Sequence, residues 1–371
     1  MPYRKLLPLL ILLVLLCQAC QPAVGPAAEN STAPAASAAV STAPSSLPTP
    51  GSTPPAAEAV WVVNGVDQTL LAIDPGSNRL AAQIPLDAEP LALATGEGGV
   101  GLILQPKGQD RQLLRIDPTS HQAGAPIAIP QGEALTLATG GGWVWVGVAE
   151  NTTSTGSDDY HLAGGIVRID PASSQVVEYL PTRAVAAELV VADQTLWALE
   201  QMKAFTYLDR IEASSRTIVS LPQQAESLAY VHQFARIAAN PAGVWATSAN
   251  PSSRYIYHVD PADGRITHVI AVGDAPEATP LDLVATADAV WVALRGGTLA
   301  RVNPATMTVE SQVETGGEIS GLFTAFDDLW VLRAPEALVT RIDARSGETI
   351  ASISTGSRPR PTPTPSLRPP P

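Results

Sequence analysis

Six charged residues stand at matched places in a repeating pattern. Glu188, Arg236 and Asp282 each lie nine residues before a tryptophan (Trp197, Trp245, Trp291). Glu200, Arg295 and Arg333 lie three or four residues after one (Trp197, Trp291, Trp330). Carboxylates and guanidiniums that converge on one place hold polar ligands through charge-assisted hydrogen bonds, and these six are the candidate ligand-binding residues. Acid–base chemistry would further need convergent groups of tuned pKa, and the five histidines do not mark such a place. His121 and His268 fall in fourth-strand regions, and His258 replaces a repeated arginine, so all three read as structural. His161 and His232 lie in insertions. The run Asp158-Asp159-Tyr160-His161 offers oxygen and nitrogen donors to a divalent metal, but not at the spacing of a recognised metal loop. Phosphate loops, nucleophile elbows and zinc helices are absent from the sequence. No catalytic residue, resident metal or cofactor is assigned.

The elements that must position the six are short strands. A tryptophan strand recurs as AVWVVN, GWVWVG, TLWALE, GVWATS, AVWVAL and DLWVLR, with GVGLIL a degenerate seventh. Each is followed by a second marker, such as TLLAIDP, QLLRIDP, GIVRIDP, YIYHVDP or LVTRIDA, and then by a turn and a further strand. Seven copies over residues 60–356 give roughly 42 residues per unit, the period of a four-stranded propeller blade. A sheet apolar on both faces cannot stand alone, and stacking seven of them radially buries every face. The fold expected is therefore all-β: a seven-bladed β-propeller of four-stranded antiparallel blades. The Asp of each Asp-Pro pair caps a type I turn while Pro presets φ, which makes Asp74, Asp117, Asp170 and Asp260 turn residues, not active sites. The tryptophans pack blade against blade. The first strand of the closing blade falls at 51–58, where Pro54 and Pro55 suit only an unpaired inner edge.

In such blades the connections leading into the first strand and out of the second share one face of the disc. That rule places Glu188, Arg236 and Asp282, with Ala92, Thr136 and Gly321 at equivalent positions, around the channel mouth beside Glu200, Arg295 and Arg333. Insertions at 149–165, 201–207 and 222–236 lengthen connections on the same face, and long loops on a rigid scaffold are where binding usually sits. The plainer alternative is a solvated rim whose charges pair with one another.

Lys and Arg number 22 against 35 Asp and Glu, a formal charge of −13, and no basic stripe is present to hold nucleic acid. Residues 1–19 join a positive start to a short apolar run, as a secretory signal peptide does. Both cysteines, Cys17 and Cys20, lie at its end, so the body has no disulfide framework and no thiol catalyst. Residues 20–59 are an Ala/Pro/Ser/Thr-rich tether that cannot bury enough apolar surface to order itself, and 357–371 form a proline-rich tail. The Asn30 and Asn151 sequons are read as chance matches.

Two resemblances follow. A small residue before Cys20 is similar to the lipobox of bacterial lipoproteins, in which that cysteine is lipidated and becomes the N-terminus. This implies an extracytoplasmic protein held to the cell envelope of a bacterium by lipid alone, because an acidic surface repels anionic headgroups. The repeated Val-Trp and Arg-Ile-Asp-Pro signatures resemble the YVTN/NHL-like propellers, particularly the branch that includes virginiamycin B lyase. In that lyase a His and a Glu act with Mg²⁺, and the corresponding His-x-Glu cluster does not occur in this chain. The expectation is thus a monomeric, non-catalytic binding module for a protein, peptide or glycan on the loop-rich face. The alternative is a metal-dependent lyase or lactonase-like hydrolase at the channel mouth.

Overall fold

A computed structural model describes residues 59–96, 99–150, 164–202, 205–213, 218–220, 234–274 and 278–357. Among these the strands form seven antiparallel sheets in chain order, and there is no α-helix. The chain is a seven-bladed β-propeller. Blades 3 to 7 have four strands each. Blade 1 has three, at Val60–Asn64, Thr69–Asp74 and Arg79–Pro85; the inner strand expected at 51–58 lies outside the described residues. Blade 2 also has three, ending with Gln112–Ile116. Its expected fourth strand is reduced to the isolated bridges Leu113–Ile127 and Ile116–Ala123. Pro118, Pro126 and Pro130 fall in that stretch, and proline cannot donate to a ladder.

The inner strands of blades 2 to 7 (Glu89–Gly96, Glu133–Gly140, Val185–Ala192, Phe234–Asn240, Pro280–Ala285 and Gly321–Ala325) touch one another in turn around the central channel. Second strands such as Gly243–Ser248 and Val290–Leu294 are buried along their whole length, whereas fourth strands such as Thr308–Glu314 are mostly exposed. A strand enclosed on both faces has no use for alternation, which is why the tryptophan strands read as continuous apolar runs.

Trp61, Trp145, Trp245, Trp291 and Trp330 are almost wholly buried. Each sits in a core cluster shared between blades: Trp145 with Ala186, Leu189 and Leu196 of blade 4, and Trp291 with Leu322 and Val331 of blade 7. Their indole N–H groups are partnered locally, as from Trp145 to the Gly140 carbonyl and from Trp330 to that of Ala325, both at 3.1 Å. The Asp-Pro loops are one residue longer than a bare type I turn. A backbone bond from Asn78 N–H to the Asp74 carbonyl closes the first, and left-handed Asn78 ends it. Asp74, Asp117, Asp170 and Asp343 accept the following backbone N–H groups and a serine hydroxyl, which holds their carboxyls below the usual range. His121 ends one of these loops, not a fourth strand, and meets Trp61 edge-on with ring centroids 5.7 Å apart. His268 is exposed in the fourth strand of blade 5, and His258 is buried, its Nε2 bonded to the Ala242 carbonyl at 2.9 Å.

The repeated arginine before each Asp ties a blade to its successor. Arg115 reaches the Pro171 carbonyl (3.3 Å), Arg168 that of Ala213 (3.1 Å) and Arg210 that of Pro261 (2.8 Å). Arg341 of blade 7 donates to Pro75 of blade 1 and so closes the ring. Asn64 Nδ2 adds a bond to the Thr355 carbonyl at 2.7 Å, and Ser357 N–H one to Asp67 at 2.7 Å.

Gly101 stands where the degenerate copy lacks its tryptophan, and a Cβ there would lie 3.0 Å from Leu137 Cδ2 of blade 3. Leu137 of the neighbouring blade therefore stands against the missing indole's place, beside a small apolar cavity lined by Gly101, Leu113, Val144 and Ile169 that is far too small for an indole. Restoring the consensus by Gly101→Trp is expected to destabilise by about 1–3 kcal/mol through overpacking, and less when combined with Leu137→Ala. Urea denaturation checks this; a single substitution that stabilises would show that the space is open.

Candidate functional site

In blades 2 to 6 the inner strand breaks register once, at Pro90/Ala92, Ala134/Thr136, Ala186/Glu188, Phe234/Ile237 and Pro280/Asp282. A bulge leaves one residue unpaired and re-aims a side chain. The same device thus recurs at Ala92, Thr136, Glu188, Arg236 and Asp282, while blade 7 passes Gly321 without a break. Charge is confined to three consecutive blades, and small or neutral residues occupy the others.

Each carboxylate of the trio stitches its blade to the next. Glu188 Oε2 accepts the N–H of Ile237 at 2.7 Å, and Asp282 Oδ2 accepts that of Leu322 at 2.9 Å. Asp282 Oδ1 also accepts the N–H of Leu283 at 2.9 Å. Arg236 lies between them. Its Nη1 is 3.9 Å from Glu188 Oε1, an ion contact too long for a hydrogen bond. Among the described residues its guanidinium has no hydrogen-bond acceptor. The three groups nonetheless sense one another. Burial pushes Glu188 up to about 8, against the pull of Arg236 and with a further push from Asp282. Burial raises Asp282 as well, opposed by Arg236 and by the two backbone N–H groups. The side chains of Glu188 and Arg236 keep 20% and 32% exposure, so the cluster meets channel water inside a poorly polarisable ring.

Among the described residues the other three candidates make no hydrogen bond or ion pair with the trio. Glu200 is wholly buried in the second strand of blade 4 and does not line the mouth. It accepts the Ala184 N–H at 3.0 Å and lies two register positions from Asp209, which is also buried. Glu200 Oε1 and Asp209 Oδ1 have no N–H or O–H partner. Burial first, and Asp209 second, raises the Glu200 carboxyl to about 8. Arg333 is tied to the joint of blades 6 and 7 by the Thr315 and Gly316 carbonyls (3.3 and 2.8 Å) and by Glu336. Arg295 is exposed on the rim. His161, His232 and the 158–161 run lie outside the described residues, as does most of the expected insertions. Among the described residues no three His, Cys, Asp or Glu side chains group closely enough to hold a metal ion.

A groove of about 760 Å³ opens over blades 1 and 2, lined by Gln68, Asp87, Glu89, Gln105, Lys107 and Gln109. These residues belong to connections entering a first strand or leaving a second, so the groove shares the face of the trio. Sequence reading missed it because the lining residues are ordinary loop polars with no repeat position to mark them.

The ring of inner strands and the seven sheets define the class: a β-propeller. No protein-family model and no curated protein matches the chain. Solved structures do. Kuenenia stuttgartiensis hydrazine synthase is similar at 12% identity over 78% of this chain and 93% of that one, with a TM-score of 0.60. Saccharomyces cerevisiae Sqt1 is similar at 12% identity over 80% and 82%, with a TM-score of 0.55. The Neurospora crassa Pan2 WD40 domain is similar at 11% identity over 75% and 83%, with a TM-score of 0.54. At these identities the likeness is one of fold.

Proposed function

We propose that this protein is a non-catalytic binding module, carried outside the cytoplasm on a lipidated Cys20, that takes a protein, peptide or glycan at the channel-mouth face. The observation that carries the reading is Arg236, a guanidinium with no hydrogen-bond acceptor among the described residues, flanked by Glu188 and Asp282. A structural ion pair would draw the carboxylates onto the arginine. Here Glu188 Oε2 and both Asp282 oxygens bond to backbone instead, and the Arg236 side chain keeps 32% exposure. The neighbouring groove supplies polar surface for the remainder of a larger ligand. Tether and tail carry almost no apolar surface, which suits a body held away from its attachment point.

Peptide and glycan arrays probed with the labelled protein test this. Ligands retained by the parent are expected to be lost, by roughly tenfold or more in affinity, in Arg236→Gln. Arg265→Gln, in an exposed turn, is expected to keep them. Identical binding patterns for the parent and Arg236→Gln would remove the channel from the site.

A further inference from the structure

The geometry points to a carboxylate group as the ligand chemistry of the channel, gripped by the free fork of Arg236; this rests on the channel being the binding site. The donors and acceptors of the trio are unequal. Glu188 Oε2 and both Asp282 oxygens already receive backbone N–H groups from Ile237, Leu283 and Leu322. Among the described residues Arg236 has its N–H donors unmatched, with a Glu188 oxygen at 3.9 Å. A planar guanidinium matches a carboxylate through two parallel hydrogen bonds. The positions facing the trio around the ring are Ala92, Thr136 and Gly321, which bring no competing charge and little bulk.

Burial weakens the negative charge of the two flanking acids, raising both carboxyls. It raises the Glu188 carboxyl to about 8, which favours its protonated form at neutral pH, an O–H donor beside Arg236. The charged groups acting on Glu188 are Arg236 on the next inner strand and Asp282 on the one beyond; Thr136, on the inner strand at its other side, is neutral. The sign of the pH dependence follows. As pH rises through about 8, Glu188 ionises and repels an incoming carboxylate, so affinity falls. A cationic ligand would show the opposite trend.

The test uses the full chain and two sources of the same group: acetate, and a short peptide with a free C-terminal carboxylate. The same peptide amidated at its C-terminus and methylammonium are the comparisons, each titrated at about pH 6 and about pH 9. One or both carboxylates are expected to bind at the lower pH, to weaken severalfold at the higher, and to lose binding in Arg236→Gln but not in Arg265→Gln. Peptide binding without acetate binding would identify a chain terminus as the source. Carboxylate binding that is unchanged in Arg236→Gln overturns the proposal. Binding of methylammonium alone, rising with pH and lost in Asp282→Asn, overturns the carboxylate assignment while keeping the channel as the site. If nothing binds and Arg236→Gln also leaves the array pattern unchanged, both readings fall.

Discussion

Truncating Trp330 to alanine is expected to cost about 3–5 kcal/mol of stability, the range for deleting a wholly buried indole. Trp330 stands at the seam where the last blade meets the first. It shares one core cluster with Val60, Trp61, Val62 and Leu70 of blade 1 and stacks on Phe323 at 6.2 Å between ring centroids. Arg341 lies over its face, 5.3 Å from the ring centroid, while bonding to Asp328 and to Pro75 across the seam. Deleting the indole therefore empties a cavity and also removes the platform that orients the closing arginine. Urea denaturation followed by circular dichroism reads the effect. Trp143, half-buried beneath Arg168 at 4.2 Å, is the comparison, with an expected loss well under that of Trp330. Equal losses at the two positions would mean that the seam carries no special share of the ring's stability.

Glu200→Gln is expected to stabilise the protein in alkaline solution and to change little in mild acid. Glu200 and Asp209 are both buried, and among the described residues Glu200 Oε1 and Asp209 Oδ1 have no N–H or O–H partner, so a proton shared between these two oxygens lets the pair be tolerated. The folded-state value of Glu200 is raised to about 8 from an unfolded value of 4.5. Folded protein thus binds more protons than unfolded protein between these limits. Stability is fully present below the lower value and is lost as pH rises through the higher one. Glutamine keeps the shape and the acceptor and cannot ionise. At about pH 9 the gain is expected to reach roughly 2–4 kcal/mol, below the full linkage value because a buried site relaxes on ionising. Denaturation midpoints of parent and variant across that range measure it. A difference that stays constant with pH would refute the shared proton. Glu188 titrates over the same range, so the difference between variant and parent is the diagnostic quantity, not the slope of the parent alone.

Burial also explains why Glu200 and Glu188, both in blade 4 and both raised, serve different ends. Glu188 faces channel water and a cation on the adjacent blade, so its proton exchanges with solvent. Glu200 is sealed from solvent, and its titration acts on the fold alone.

The repeat was legible because its cause is local. A tryptophan strand, an Asp-Pro loop and a continuous apolar run are each produced by neighbours in the chain, and their recurrence counts the blades. The offset of nine residues before tryptophan likewise marked one equivalent position on each inner strand, since hairpin register holds that offset constant. The irregular fourth strand of blade 2 carried its own signal in Pro126 and Pro130.

What the chain alone determined, then, was the unit, its sevenfold recurrence and the ring positions open to charge. Only tertiary structure decided which charges meet. Glu188, Arg236 and Asp282 belong to three hairpins that become neighbours when the ring closes, and Arg341 finds Pro75 across almost the whole chain for the same reason. Glu200 and Arg333 sit at equivalent offsets from tryptophan, yet one is enclosed against Asp209 and the other is bound by a loop of blade 6. Spacing along a strand decides which way a side chain points. What stands opposite it is decided by the packing of separate blades, because burial and Coulomb energies depend on distance through space and not along the chain.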